Sequence, residues 1–82
     1  MDTDNADRIT QAIAAELRAA RARKNISRDE LADLSGVSRS SVFRIENAER
    51  EVKMTQLYAL CEALGVTPSA ILQAAQDALE QE

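Results

Sequence analysis

The sequence predicts an all-α domain of five helices joined by short connections, and three observations carry that prediction. Its apolar residues recur at three- and four-residue spacing. Alanine is abundant and β-branched residues do not gather in long runs. Capping and stop residues divide the chain at regular places: Ser27, Ser38 and Thr67 as starts, Gly36 and Gly65 as ends. At 82 residues there is room for one domain, near the size at which a single core is marginal. One Phe, one Tyr and no Trp leave that core to Leu, Ile, Val and Ala.

In the first helix Ile9, Ile13, Leu17 and Ala20 form one inward stripe, and the helix runs to Lys24 from a cap at Asp4, Asn5 or Asp7. Residues 1–6 are expected to be loose. Arg18, Arg21, Arg23 and Lys24 crowd the C-terminal half, where positive charge suits the helix dipole. Such a cluster is either a solvated face or a set from which at least one side chain reaches an anion. Asn25 and Ile26 make the bend, with Ile26 placed to staple against Leu31.

The segment SRDELADLSGVSRSSVFRIE, residues 27–46, organises the rest. Ser27 with Glu30 has capping-box spacing, so a second helix runs from Arg28 to Ser35 and ends at Gly36. Small residues at Ala32 and Ser35 let another helix cross closely. A third helix starts after Ser38 and runs from Arg39 to Glu46. At 100° per residue Ser41, Val42 and Ile45 gather inward, while Arg39, Ser40, Phe43 and Arg44 gather outward. Two arginines, a serine and an aromatic on one arc suit the major groove of double-stranded DNA. Arginine pairs bidentately with guanine, serine donates or accepts, and a ring meets a thymine methyl. The bland alternative is a solvated surface with Phe43 folded onto a neighbour.

A polar connection, residues 47–52, leads to a fourth helix over 53–64 with Leu57, Leu60, Cys61 and Leu64 inward. Thr67 followed by Pro68 restarts the chain as a fifth helix carrying Ile71, Leu72, Ala75 and Leu79. Ile71, Ala75 and Leu79 are the expected dimerisation surface, because this helix carries more apolar positions than a peripheral one needs. The domain is expected over residues 8–76, with a flexible tail over 1–7 and a helix end or acidic tail over 77–82.

The formal net charge of −4 argues against nucleic acid only until its distribution is examined. Residues 18–50 hold eight basic and five acidic side chains, a balance of +3, while the remainder stands at −7. A polyanion responds to the face it meets, so this segregation fits a selective binder rather than a general DNA-coating protein. With one cysteine and no histidine, an intrachain disulfide and a cysteine–histidine zinc site are excluded, and no metal or cofactor is expected. Cys61 reads as a small buried hydrophobe. The carboxylates are scattered without a visible pocket, so no catalytic residue and no enzyme activity are expected. No 18-residue apolar run is present and the N-terminus is acidic, so a cytoplasmic protein without a membrane partner is expected.

These segments resemble the phage-repressor-like helix-turn-helix family of the Cro/Xre type. The likeness runs from about Ile13 to Leu72 and rests on DELADLSGVSRSSVFRIE and LYALCEALGVTPSAIL. It implies a compact repressor-like DNA-binding domain of five helices. It also implies base reading by Arg39, Ser40 and Arg44, joined by Phe43 from its place on the same arc. Phosphate contacts are implied for Arg28, which stands where Gln is usual, and for Asn47; Arg18, Arg23 and Arg50 are further candidates from their charge. Arg21 and Glu46 match a structural ion pair of the family.

Three departures stand out: Ala48 where Gly is frequent, Glu49 and Glu51 in a loop that often carries Lys, and Phe43 where a small or polar residue is common. The function expected is a transcriptional regulator, a repressor acting as a homodimer on a palindromic operator. The competing reading is an antitoxin or protein-interaction module engaging a protein partner through acidic surfaces. A chain of this length leaves no room for a ligand-sensing domain, so control by proteolysis, competition or a partner is expected.

Overall fold

The computed structural model describes residues 3–81 and contains α1 (Thr3–Lys24), α2 (Arg28–Ser35), α3 (Arg39–Glu46), α4 (Met54–Leu64) and α5 (Pro68–Glu80). No strand occurs among the described residues. Leu17, Leu31, Val42, Leu57, Leu60 and Cys61 are fully buried at the centre, with Ile45, Leu64 and Ile71 around them. α1 packs chiefly against α5, α2 against α3 and α4, and α3 also against α1. No single helix among the described residues is long and apolar enough to cross a membrane.

The sequence signals act locally as their chemistry requires. Ser27 Oγ accepts from Glu30 N at 3.0 Å while Ser27 N donates to Glu30 Oε1 at 3.1 Å, closing the capping box. Ser38 Oγ accepts from Ser41 N at 3.2 Å to open α3, and Thr67 Oγ1 accepts from Ala70 N at 3.1 Å to open α5. Gly36 (φ +77°) closes α2, its N–H reaching Ala32 O at 2.9 Å. α5 leaves α4 at 101°, turning on Gly65 (φ +72°).

The exit from α3 uses the same geometry without a glycine. Ala48 adopts φ +58°, Ala48 N donates to Ile45 O at 3.1 Å and Glu49 N to Arg44 O at 2.9 Å, the paired bonds of a Schellman turn. Asn25 (φ +60°) makes the corresponding turn after α1. Ala48 therefore holds the left-handed conformation, strained for an L-residue, at the place where Gly is frequent.

Four sequence expectations are corrected. Residues 3–7, placed in a loose tail over 1–7, are helical, because the first turns of α1 lie beside the end of α5; Asn5, Arg8 and Ile9 line one groove with Gln76, Leu79 and Glu80. Residues 1 and 2 of that tail lie outside the described residues. The buried stripe of α1 is Ala14, Leu17 and Ala20, with Ile9 and Ile13 only half-buried at the α5 side. In α3 the third inward residue is Glu46 rather than Ser41, which is half-buried. Ile71 and Ala75, expected to face a second subunit, are 3% and 2% exposed in the chain's own packing, so only Leu79 of that set stays partly accessible.

Candidate nucleic-acid interface

α3 is held on one side and open on the other. Val42, Ile45 and Glu46 are buried, and Arg39, Ser40, Phe43 and Arg44 are exposed. With only eight residues, α3 is too short to be stable alone, so its neighbours fix its position.

The fixing group is the Glu46 carboxylate, 1% exposed. Arg21 forks onto it, Nε to Oε2 at 2.8 Å and Nη2 to Oε1 at 2.9 Å, and passes Nη1 to Ile26 O at 3.0 Å. Arg28 adds Nε to Oε1 at 3.0 Å. Arg18 Nη1 donates to the Glu46 carbonyl, covering one of the open acceptors at the C-terminus of α3. Three arginines from α1 and α2 thus converge on one residue of α3. The hydrogen bond to Glu46 raises the Arg21 guanidinium further above its ordinary range, outweighing its partial burial.

This network uses side chains that sequence reasoning assigned to phosphate. Arg18 is committed to the α3 carbonyl, and Arg28 to Glu46 and, through Nη2, to Asn47 Oδ1 at 3.0 Å. Arg50 donates to Glu51 O at 3.0 Å and to Gln56 Oε1 at 3.2 Å, fastening the α3–α4 connection to α4. Arg23 is exposed on the last turn of α1. Asn47 sits at the end of α3, its Nδ2 toward Glu49 Oε2 at 3.4 Å.

The outward arc has neighbours that the sequence reading did not name. Arg39 Nε lies 3.7 Å from Asp29 Oδ1, and its Nη2 lies 3.9 Å from Asp33 Oδ1. Asp29 and Asp33, four residues apart on α2, share a face, which is the signal that could have found them. Arg28 lies over the Phe43 ring, its Cζ 5.1 Å from the centroid. Phe43 is consequently neither folded into the core nor wholly bare, at 49% exposed.

Comparisons with known proteins agree with this geometry. A family model described as Helix-turn-helix matches residues 17–71. Control protein C.SmaI of Serratia marcescens is 31% identical over 64 residues, covering 78% of this chain and 76% of that protein. Among solved structures, the clp gene regulator ClgR from Corynebacterium glutamicum superposes with a TM-score of 0.83 at 32% identity, over 89% of this chain and 78% of that one. The restriction-modification controller protein C.AhdI from Aeromonas hydrophila gives 0.73 at 32% identity, over 76% and 94% respectively. The match over residues 17–71, with a short third helix anchored from behind in a five-helix frame, places the chain in the helix-turn-helix family of the phage-repressor-like Cro/Xre type, a family of DNA-binding regulators of transcription.

Proposed function

We propose that the protein is a cytoplasmic repressor that binds a palindromic operator as a homodimer, inserting α3 of each subunit into the major groove. The observation that carries this is the division of α3 into a buried anchor and an exposed arc of Arg39, Ser40, Phe43 and Arg44. Arg39 and Arg44 pair with base edges, Ser40 adjusts to either base type, and Asn47 and Arg23 hold the backbone. Occupancy of a promoter excludes polymerase, and no chemistry is required.

Dimerisation is assigned to the α1–α5 side, where Leu72 is 39% exposed and a groove of about 270 Å³ is lined by Ile9, Ile13, Leu72, Gln76 and Leu79. A pair reading two half-sites one turn of DNA apart needs its α3 helices about 34 Å apart, which is the spacing this side has to provide.

Selection of duplexes from a random pool at stated salt tests the reading, with a two-fold symmetric motif as the expected result. Arg39→Ala and Arg44→Ala should each cost about 1–3 kcal/mol on the selected site and relax sequence preference. Binding of cognate and scrambled duplexes by both variants at parental strength would refute the assignment.

A further inference from the structure

We infer that Arg28 is a positioning residue that holds Phe43 as a reader of the 5-methyl group of a pyrimidine, making operator recognition sensitive to methylation at that base. The inference rests on the DNA-binding reading above and deepens it.

Two directed bonds orient the Arg28 guanidinium, Nε to Glu46 Oε1 and Nη2 to Asn47 Oδ1, each 3.0 Å. Glu46 is in turn clamped by Arg21, so the orientation is referred back to α1. The Phe43 ring lies beneath this guanidinium, and about half of the residue remains open on the reading arc. The ring thus rests against the first residue of α2, a contact that favours this orientation over its other rotamers. Among the groups that base edges show in the major groove, the C5-methyl of thymine is the apolar one, and 5-methylcytosine carries the same group. An aromatic surface fixed there finds no other methyl group on an unmodified base edge, only the smaller C–H of cytosine C5 or purine C8. The same guanidinium takes up Asn47 Oδ1, and the Asn47 amide N–H₂, directed at Glu49 Oε2 at 3.4 Å, keeps one further N–H to donate.

The geometry calls for a guanidinium rather than charge alone. A lysine at residue 28 would keep the positive charge but has no planar fork to span Glu46 and Asn47 while lying over a ring.

The test uses the full chain and the duplex enriched by selection, replacing each thymine in turn by deoxyuridine, which removes only the methyl group. The unmodified protein should lose roughly three- to fivefold in affinity at one thymine per half-site, the worth of about one buried methyl. Phe43→Ala, at an exposed position, should bind thymine and deoxyuridine duplexes equally. Arg28→Lys should lower the thymine-to-deoxyuridine ratio toward one while leaving the slope of log affinity against log salt unchanged. With cytosine placed at that base, its 5-methyl form should bind more tightly than the unmethylated form.

An Arg28→Lys protein that keeps the full methyl ratio would overturn the positioning role. An enriched duplex with no thymine at which the parent and Phe43→Ala differ would overturn methyl reading while leaving DNA binding intact. A pool that enriches no motif at all would remove both.

Discussion

Replacing Ala48 by glycine should stabilise the protein. Ala48 is held at φ +58° by the two bonds that close α3, so its Cβ sits against the following carbonyl in the left-handed region. That conformation costs an L-residue about 1–2 kcal/mol. Against this stand about 0.5–1 kcal/mol for the greater freedom of glycine in the unfolded chain and about 0.4 kcal/mol for a half-buried methyl. The net gain at the midpoints is about 0.4 kcal/mol, or ~2–3 °C in Tm for a domain of this size. Asn25 provides the internal comparison. It adopts φ +60° in the same kind of turn, but asparagine tolerates that region with little strain, so Asn25→Gly should give no gain. The assay is thermal and urea unfolding followed by circular dichroism, with the denaturant slope checked for constancy. If Ala48→Gly were no more stable than the parent, or gained no more than Asn25→Gly, the strain argument would be wrong.

Three further outcomes follow from the site and the core. Glu46→Gln leaves Arg21 and Arg28 without their shared anion and should destabilise by about 2–3 kcal/mol, below the full cost of breaking a buried pair because both guanidinium groups can reach water; urea titration measures it. Asp29→Asn with Asp33→Asn removes the two carboxylates beside Arg39. It should raise affinity for scrambled DNA about three- to tenfold at low salt, shrinking the ratio of specific to non-specific binding, with stability changed by less than about 1 kcal/mol. Burial pushes the Cys61 thiol above its ordinary range. In the unfolded chain the thiol releases its proton first, so the contribution is fully present below the unfolded value of about 8.5 and is lost as pH rises through the folded value. Stability measured from pH 7 to 10 should fall in that upper window for the parent and fall less for Cys61→Ala, and thiol reagents should react with the parent only as fast as it opens.

The elements were legible because their signals are local. Capping at Ser27, Ser38 and Thr67 and the glycines at 36 and 65 act on neighbours within a turn, and the four elements they bound lie within a residue of where spacing puts them. The start of α1 was legible only as alternatives: a cap at Asp4 or Asn5 falls within two residues of Thr3, whereas the loose tail over 1–7 does not, and the α5 residues that line a groove with Asn5, Arg8 and Ile9 lie some 70 positions away. The outward arc of α3 could be read from a helical wheel, but the fate of the other arginines could not. Whether Arg28 meets a phosphate or Glu46 depends on where the start of α2 falls relative to the end of α3, residues 18 and 19 positions apart. Ile71 and Ala75 misled for a related reason: periodicity reports that a face is apolar, and not whether its own chain or another covers it.

The convergence of Arg18, Arg21 and Arg28 on Glu46 has an evolutionary corollary. Because the attachment of α3 is entrusted to residues off its outward arc, Arg39, Ser40 and Arg44 can be exchanged for other side chains without reworking the interior, and on the proposed reading operator preference can drift while the scaffold stays put. Phe43 is the exception, since any replacement there must also suit the guanidinium lying on it. Substitutions at 28 and 43 should accordingly change together across a lineage, and those at 39 with 29 and 33, whereas those at 40 and 44 should wander more independently.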